Sequence, residues 1–182
     1  MDPVQVVRTD GGVMECRECG FRYNHTRAEI ADLSEQHLAR VGNALNATPH
    51  DARGVRLQPK LWSVNAYMAH LVEASGVVLE RVQRVATEER PALAWFDENV
   101  SVERFGYDGY DADQSWRKLQ PTVAEFAAFL RGLPDDAWER LGIHSTAGEV
   151  RMSEIAHDMA HELGHHADDI HAIGVERRVP GE

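Results

Sequence analysis

Apolar positions recur at three- and four-residue steps in four stretches of the chain, and the period is lost between them. The first stretch follows Thr26, which with Glu29 three residues on has the form of a capping box. It carries Ile30, Leu33, His37, Leu38, Val41 and Leu45, and a polar connection over 46–56 with Pro49 and Gly54 closes it. The second opens at Trp62-Ser63, with Ser63 as N-cap, and continues through Tyr67, His70, Leu71, Ala74, Val78, Val82 and Val85. The third runs over about 114–132 with Trp116, Leu119, Val123, Phe126, Phe129 and Leu130, and Pro121 marks its start or a kink. The fourth, 153–174, sets Ile155, Met159, Leu163, Ile170 and Ile173 on one face. Four amphipathic helices without internal repeats predict an all-α fold, a four-helix bundle.

Three segments stand outside that pattern. Residues 88–113 hold one Pro, two Gly and five aromatics, and read as an irregular lid over the open end of the core. As a pocket wall, this lid would offer Arg104 to anchor a substrate carboxylate. Residues 134–141 read as a helical turn with Trp138 as its buried anchor, and 142–151 as a loop or extended piece. At the N-terminus, Val4 to Val7 alternate weakly with polar residues, Asp10-Gly11-Gly12 is a turn signal, and Val13-Met14 resumes the pattern. The division expected is a hairpin over 1–25 and a bundle over 26–182.

The hairpin delivers Cys16-Arg17-Glu18-Cys19-Gly20, a CxxC shaped like a zinc knuckle, in which a turn aims two thiolates at one ion. A structural zinc takes four ligands, so Cys16 and Cys19 need a second pair, from histidines such as His25 or from another subunit. Reduced structural thiols and a redox pair are the other readings of the same motif.

Composition narrows the function. The 182 residues carry a formal net charge of −11, which excludes a nucleic-acid backbone as main partner and disfavours anionic membranes. No apolar run reaches the length of a membrane span. The opening residues MDPVQVVRTD lack the features of a signal peptide, and two cysteines make no disulfide framework, so a cytoplasmic protein is expected.

The fourth stretch concentrates the chemistry. Five of the ten histidines (His157, His161, His165, His166 and His171) and five carboxylates fall within 153–174. At about 100° per residue His166 lies within the apolar face and Glu162 at its flank, spaced i, i+4. His161 and His165 form a second such pair, turned a quarter to a third of a turn away. His70 lies inside the apolar stripe of its own helix. Burying His70, Glu162 and His166 unsatisfied is expensive, and a shared divalent cation would satisfy all three. Asp169 is placed to orient a ligand histidine. A competing pattern is present: His161-Glu162-Leu163-Gly164-His165 is HExxH, with His171 where a zinc protease places a third histidine. That reading makes His161 and His165 the zinc ligands and Glu162 the general base. Against it stand Asp168 where a Gly should turn the chain, only eleven residues after His171, and no strand pattern for a substrate-edge sheet.

Three motifs in this order, Cys16-Arg17-Glu18-Cys19-Gly20-Phe21, then Trp62-Ser63 with His70 eight residues after the Trp, then HExxHHxxDI from His161 to Ile170, resemble the DinB-like superfamily. More narrowly they resemble an actinobacterial branch with the CxxCGF segment. The resemblance implies a four-helix bundle with up-down-down-up connections, often a homodimer. It also implies zinc or a nickel-like divalent ion held by one histidine on the second helix and an HxxxH pair on the last. Characterised relatives are metal-dependent thiol S-transferases or isomerases using mycothiol or bacillithiol. Carried over, His70 takes the first ligand place, and Glu162 and His166 the other two. Glu162 therefore departs from three histidines, and a carboxylate favours harder ions. The expectation is a divalent cation, zinc foremost with nickel, iron or manganese as alternatives, working with a low-molecular-weight thiol on an unidentified acceptor. A non-catalytic metal-binding stress protein is the alternative from another class.

Overall fold

A computed structural model describes residues 6–9 and 12–176. Strands β1 (Val6–Arg8) and β2 (Met14–Cys16) pair antiparallel, with Val6 opposite Cys16. The expected hairpin is therefore present; Val4, Asp10 and Gly11 lie outside the described residues. After β2 the chain reverses within five residues, Gly20 taking φ +74° while its N–H donates to the Cys16 carbonyl.

Helix α1 (Arg27–Ala47) begins with the capping box read from Thr26 and Glu29, and α2 (Val64–Thr87) with Ser63 accepting from the Ala66 N–H. The segment 88–113 is more regular than expected. It contains strand β3 (Ala92–Leu93), helix α3 (Glu98–Phe105) and a single 3-10 turn at Tyr107–Gly109. Asp97 caps α3 by accepting from the Val100 N–H, and Gly106 ends it in the left-handed conformation. Helix α4 (Ala112–Gly132) starts at the Asp111 cap, and Pro121 sits on its exposed side well inside it. In the turn at Asp135–Glu139 it is Ala137 that is buried, and Trp138 only half so. Residues read as loop or extended form a hairpin, β4 (Leu141–His144) with β5 (Gly148–Arg151), and β3 adds parallel to β4. Helix α5 (Met152–Glu176) closes the fold. Among the described residues, no helix is long and apolar enough to cross a membrane.

Contacts fix the topology. His37 meets the Ala160 carbonyl and Thr48 lies against Gly174, so α1 and α5 run parallel. Arg131 bonds Asp32 and Glu35 while Trp116 covers Gly42, so α4 is antiparallel to α1. His70 meets Glu162 while Arg81 lies near Glu154 and Asp158, so α2 is antiparallel to α5. The order is up-down-down-up. Between the helices lie Tyr67, Phe126, Leu119, Leu130, Met159 and Leu163, all fully buried.

The parallel pair α1–α5 comes together at Gly164, where a Cβ would stand 2.6 Å from the His37 Nδ1. That ring is held by its 2.7 Å bond to the Ala160 carbonyl and cannot swing away freely. Gly164→Ala is expected to destabilise the protein by about 1–3 kcal/mol, measured by denaturant unfolding.

Candidate metal centre

His70 and His166 project from α2 and α5 towards one oxygen of Glu162. His70 Nε2 lies 3.0 Å and His166 Nε2 3.3 Å from Glu162 Oε2. Both rings are almost fully enclosed, at 1% and 3% exposure, so their partners must come from the protein or from something bound. The surroundings are aromatic: Trp62 packs 5.1 Å from His70, and Tyr67 5.1 Å from His166, between ring centroids. The far nitrogen of His166 donates to Asp169 Oδ2 at 2.8 Å, which fixes the ring and leaves Nε2 aimed at Glu162.

The charges show what the cluster wants. Burial opposes ionisation of Glu162, but hydrogen bonds from His166 and His70 outweigh it and hold the carboxyl well below the carboxylate range. Burial likewise opposes charge on His166, yet its bonds to Asp169 and Glu162 push it up to about 9. Without a metal, a ring proton supplies the positive charge that the two carboxylates demand. The donor set fits a divalent cation, with two imidazole nitrogens and one carboxylate oxygen mutually within 4.8 Å. Asp169→Asn keeps a hydrogen bond but removes its charge. It is expected to weaken metal binding about 10- to 100-fold, measured by competition with a chromogenic chelator.

A cleft of about 230 Å³ leads to His70 and Glu162. Segment 88–113 supplies one wall through Trp95, Phe96 and Glu98. Phe96 stacks parallel to His70. Arg104 is not in this wall: it is exposed, with its guanidinium over Phe105. The arginine of the cleft is Arg81, which bonds the Ala94 carbonyl. Asp158 is a further wall residue, one turn before Glu162, and accepts from the Tyr23 hydroxyl at 3.1 Å. Burial, and next the charge on Glu162, raise the Asp158 carboxyl to about 7. Its i, i+4, i+8 alignment with Glu162 and His166 was the available sequence signal.

His161 and His165 point elsewhere on α5. They meet Cys16 and Cys19, and all four residues offer ligand atoms within 4.8 Å of one another. The histidines near the two cysteines come from α5, and the His25 ring packs instead against Phe21 and His157. His171 is exposed, and α5 runs straight through Asp168 without a turn, so the extended protease pattern has no counterpart.

Residues 33–170 match the sequence model of the DinB superfamily, a span that includes His70, Glu162 and His166. The chain belongs to the DinB superfamily. No curated protein matches it by sequence. Among solved structures, the DinB chain is similar to YfiT from Bacillus subtilis, described as a probable metal-dependent hydrolase with an unusual four-helix bundle topology. The two share 20% identity and a TM-score of 0.76, over 83% of this chain and 87% of YfiT. A mycothiol-dependent maleylpyruvate isomerase is similar at 18% identity and a TM-score of 0.66. That match covers 81% of this chain but only 62% of the isomerase. At these identities the likeness is one of fold.

Proposed function

We propose that this DinB protein is a metal-dependent enzyme that uses a low-molecular-weight thiol of the mycothiol type on a small electrophilic acceptor, as a thiol S-transferase or isomerase. The observation that carries the reading is the convergence of His70, Glu162 and His166, the first two of which line a cleft that also holds the half-buried Asp158 carboxylate. The chemistry a divalent cation supplies there is Lewis acidity, which eases loss of a proton from a thiol or a water. Zinc is the first candidate, and the Glu162 oxygen widens the choice towards iron or manganese.

The chain's own groups supply the rest. Asp158 takes the thiol proton at its carboxylate, and the Tyr23 hydroxyl holds that carboxylate in place. Trp95 and Phe96 shed water from the entrance beside His70. Arg81 is the positive group of the wall and takes the anchoring role for a substrate carboxylate. A base with a carboxyl near 7 works when ionised, so activity is expected to fall as pH drops below about 7. Asp158→Asn is expected to lower turnover by about 10²- to 10⁴-fold and to flatten that acid limb, with metal content unchanged.

The test begins with elemental analysis of purified wild type and His166→Ala, followed by thiol-consumption assays with mycothiol and candidate electrophiles. Stoichiometric metal lost in the variant, together with metal-dependent thiol consumption, supports the proposal. A protein that neither carries nor takes up metal defeats it. Metal without thiol consumption points to a non-catalytic binding protein.

A further inference from the structure

The hairpin and the final helix bring four soft and borderline ligands to one point on a neighbouring flank of α5, where the His165 and His166 rings stand 5.2 Å apart between centroids. Cys16 is fully buried at the end of β2, and Cys19 sits three residues on, across the turn that Gly20 closes. Both are free thiols. Facing them, His161 and His165 rise from successive turns of α5, and the ligand atoms of all four lie within 4.8 Å of one another. In a tetrahedral zinc site with two thiolates and two imidazoles, the donor atoms stand roughly 3.3–3.8 Å apart. The cluster is thus within about 1.5 Å of closing on an ion.

Two unpartnered atoms point to the ligand. His161 Nε2 and His165 Nδ1 are buried without a hydrogen-bond partner among the described residues. In each ring the other nitrogen is engaged: His161 Nδ1 lies 3.1 Å from the Tyr23 hydroxyl, and His165 Nε2 lies 3.4 Å from a Glu18 oxygen. This is the arrangement of metal-binding histidines, whose outer nitrogen is held by an oxygen partner while the inner one faces the ion. A buried ring nitrogen left without a partner is otherwise a cost, and a cation removes it for both rings together. The cysteines lie outside the span matched to the DinB superfamily, so membership does not account for them.

We propose that Cys16, Cys19, His161 and His165 form a second, structural metal site, a closed Cys2His2 centre for zinc that pins the N-terminal hairpin to α5. All four places are filled by the protein, which leaves no open position for substrate and separates this site from the one at His70, Glu162 and His166. The CxxC spans one half of the ion and the i, i+4 histidines the other. The HELGH string therefore serves two sites: its first and last residues face the thiolates, and its Glu162 faces the bundle centre.

Cobalt substitution of the full chain tests this, since thiolate ligation gives a near-ultraviolet charge-transfer band that the sulfur-free site cannot produce. Wild type is expected to bind two equivalents of cobalt or zinc and to show the band. Cys16→Ser/Cys19→Ser is expected to lose one equivalent and the band while keeping the second equivalent. His166→Ala is expected to lose one equivalent and keep the band. His161→Ala, which leaves both thiols in place, is expected to weaken the thiolate-linked equivalent at least tenfold. Circular dichroism confirms that each variant is folded. A cobalt-loaded wild-type protein without the band overturns the proposal. So does an unchanged metal count in folded Cys16→Ser/Cys19→Ser.

Discussion

Alanine at position 166 is expected to lower the affinity of the bundle centre for a divalent cation by more than about a hundredfold, beyond the effect of losing an outer partner. The variant removes one of three donors and leaves Glu162 with His70 as its remaining histidine partner at that oxygen. It also opens space beside Trp62 and Tyr67, so some stability is lost with the metal. Calorimetric titration of the metal-free protein with zinc reads the first effect, and thermal unfolding in chelator the second. Glu162→His separates ligation from packing. It supplies the three-histidine set that the superfamily resemblance implies, and is expected to retain metal while shifting preference away from manganese towards zinc and nickel. Unchanged metal affinity in both variants would show that the cation is held elsewhere.

The largest effect on stability is expected at Arg53. Its guanidinium is 5% exposed and donates to the Thr48 and Leu45 carbonyls at the end of α1 and to Asp113 in the first turn of α4. One side chain thus satisfies two of the carbonyls that a helix end leaves open and ties that end to the next helix. Arg53→Ala leaves the Thr48 carbonyl without its donor, leaves Leu45 with only the Thr48 N–H, and cuts the tie to Asp113, and is expected to cost about 3–5 kcal/mol in denaturant unfolding. Arg53→Lys is expected to recover only part, because an ammonium cannot spread three bonds over the same fork. Asp113→Asn, at a half-exposed partner, is expected to change stability by less than about 1 kcal/mol.

How much of this was legible depended on distance along the chain. The long helices announced themselves because Thr26 and Ser63 cap locally and because the apolar period persists over five or six turns. Helix α3 spans only Glu98–Phe105, too short for a period to emerge beside its aromatic neighbours. Strand β3 is two residues long and owes its existence to β4, some fifty residues later. The same limit governed the site. Helical phase within α5 led from HELGH to Glu162 and His166, and the stripe of α2 led to His70, because both are local. The long segment 88–113, taken as a pocket wall, offers Arg104 as the anchor for a carboxylate, yet α3 turns it outward and Arg81 of α2 lines the cleft instead. That the cysteines would find their partners on α5, and that Tyr23 would reach Asp158, depended on how the hairpin folds over the bundle.

The parallel pairing of the first and last helices makes the ordering of folding a matter of chain closure. Tyr23 and His161 touch across 138 positions of sequence, and every cluster discussed above takes ligands from α5. A truncated chain ending before Met152 therefore holds neither complete site, however well its earlier helices form. Contacts of such long separation are slow to make, because the loop between them must be ordered before they return any stabilisation. In the proposed metal-bound protein, capture would follow docking of α5, and a cation bridging the hairpin to α5 would act as a latch on that long-range closure.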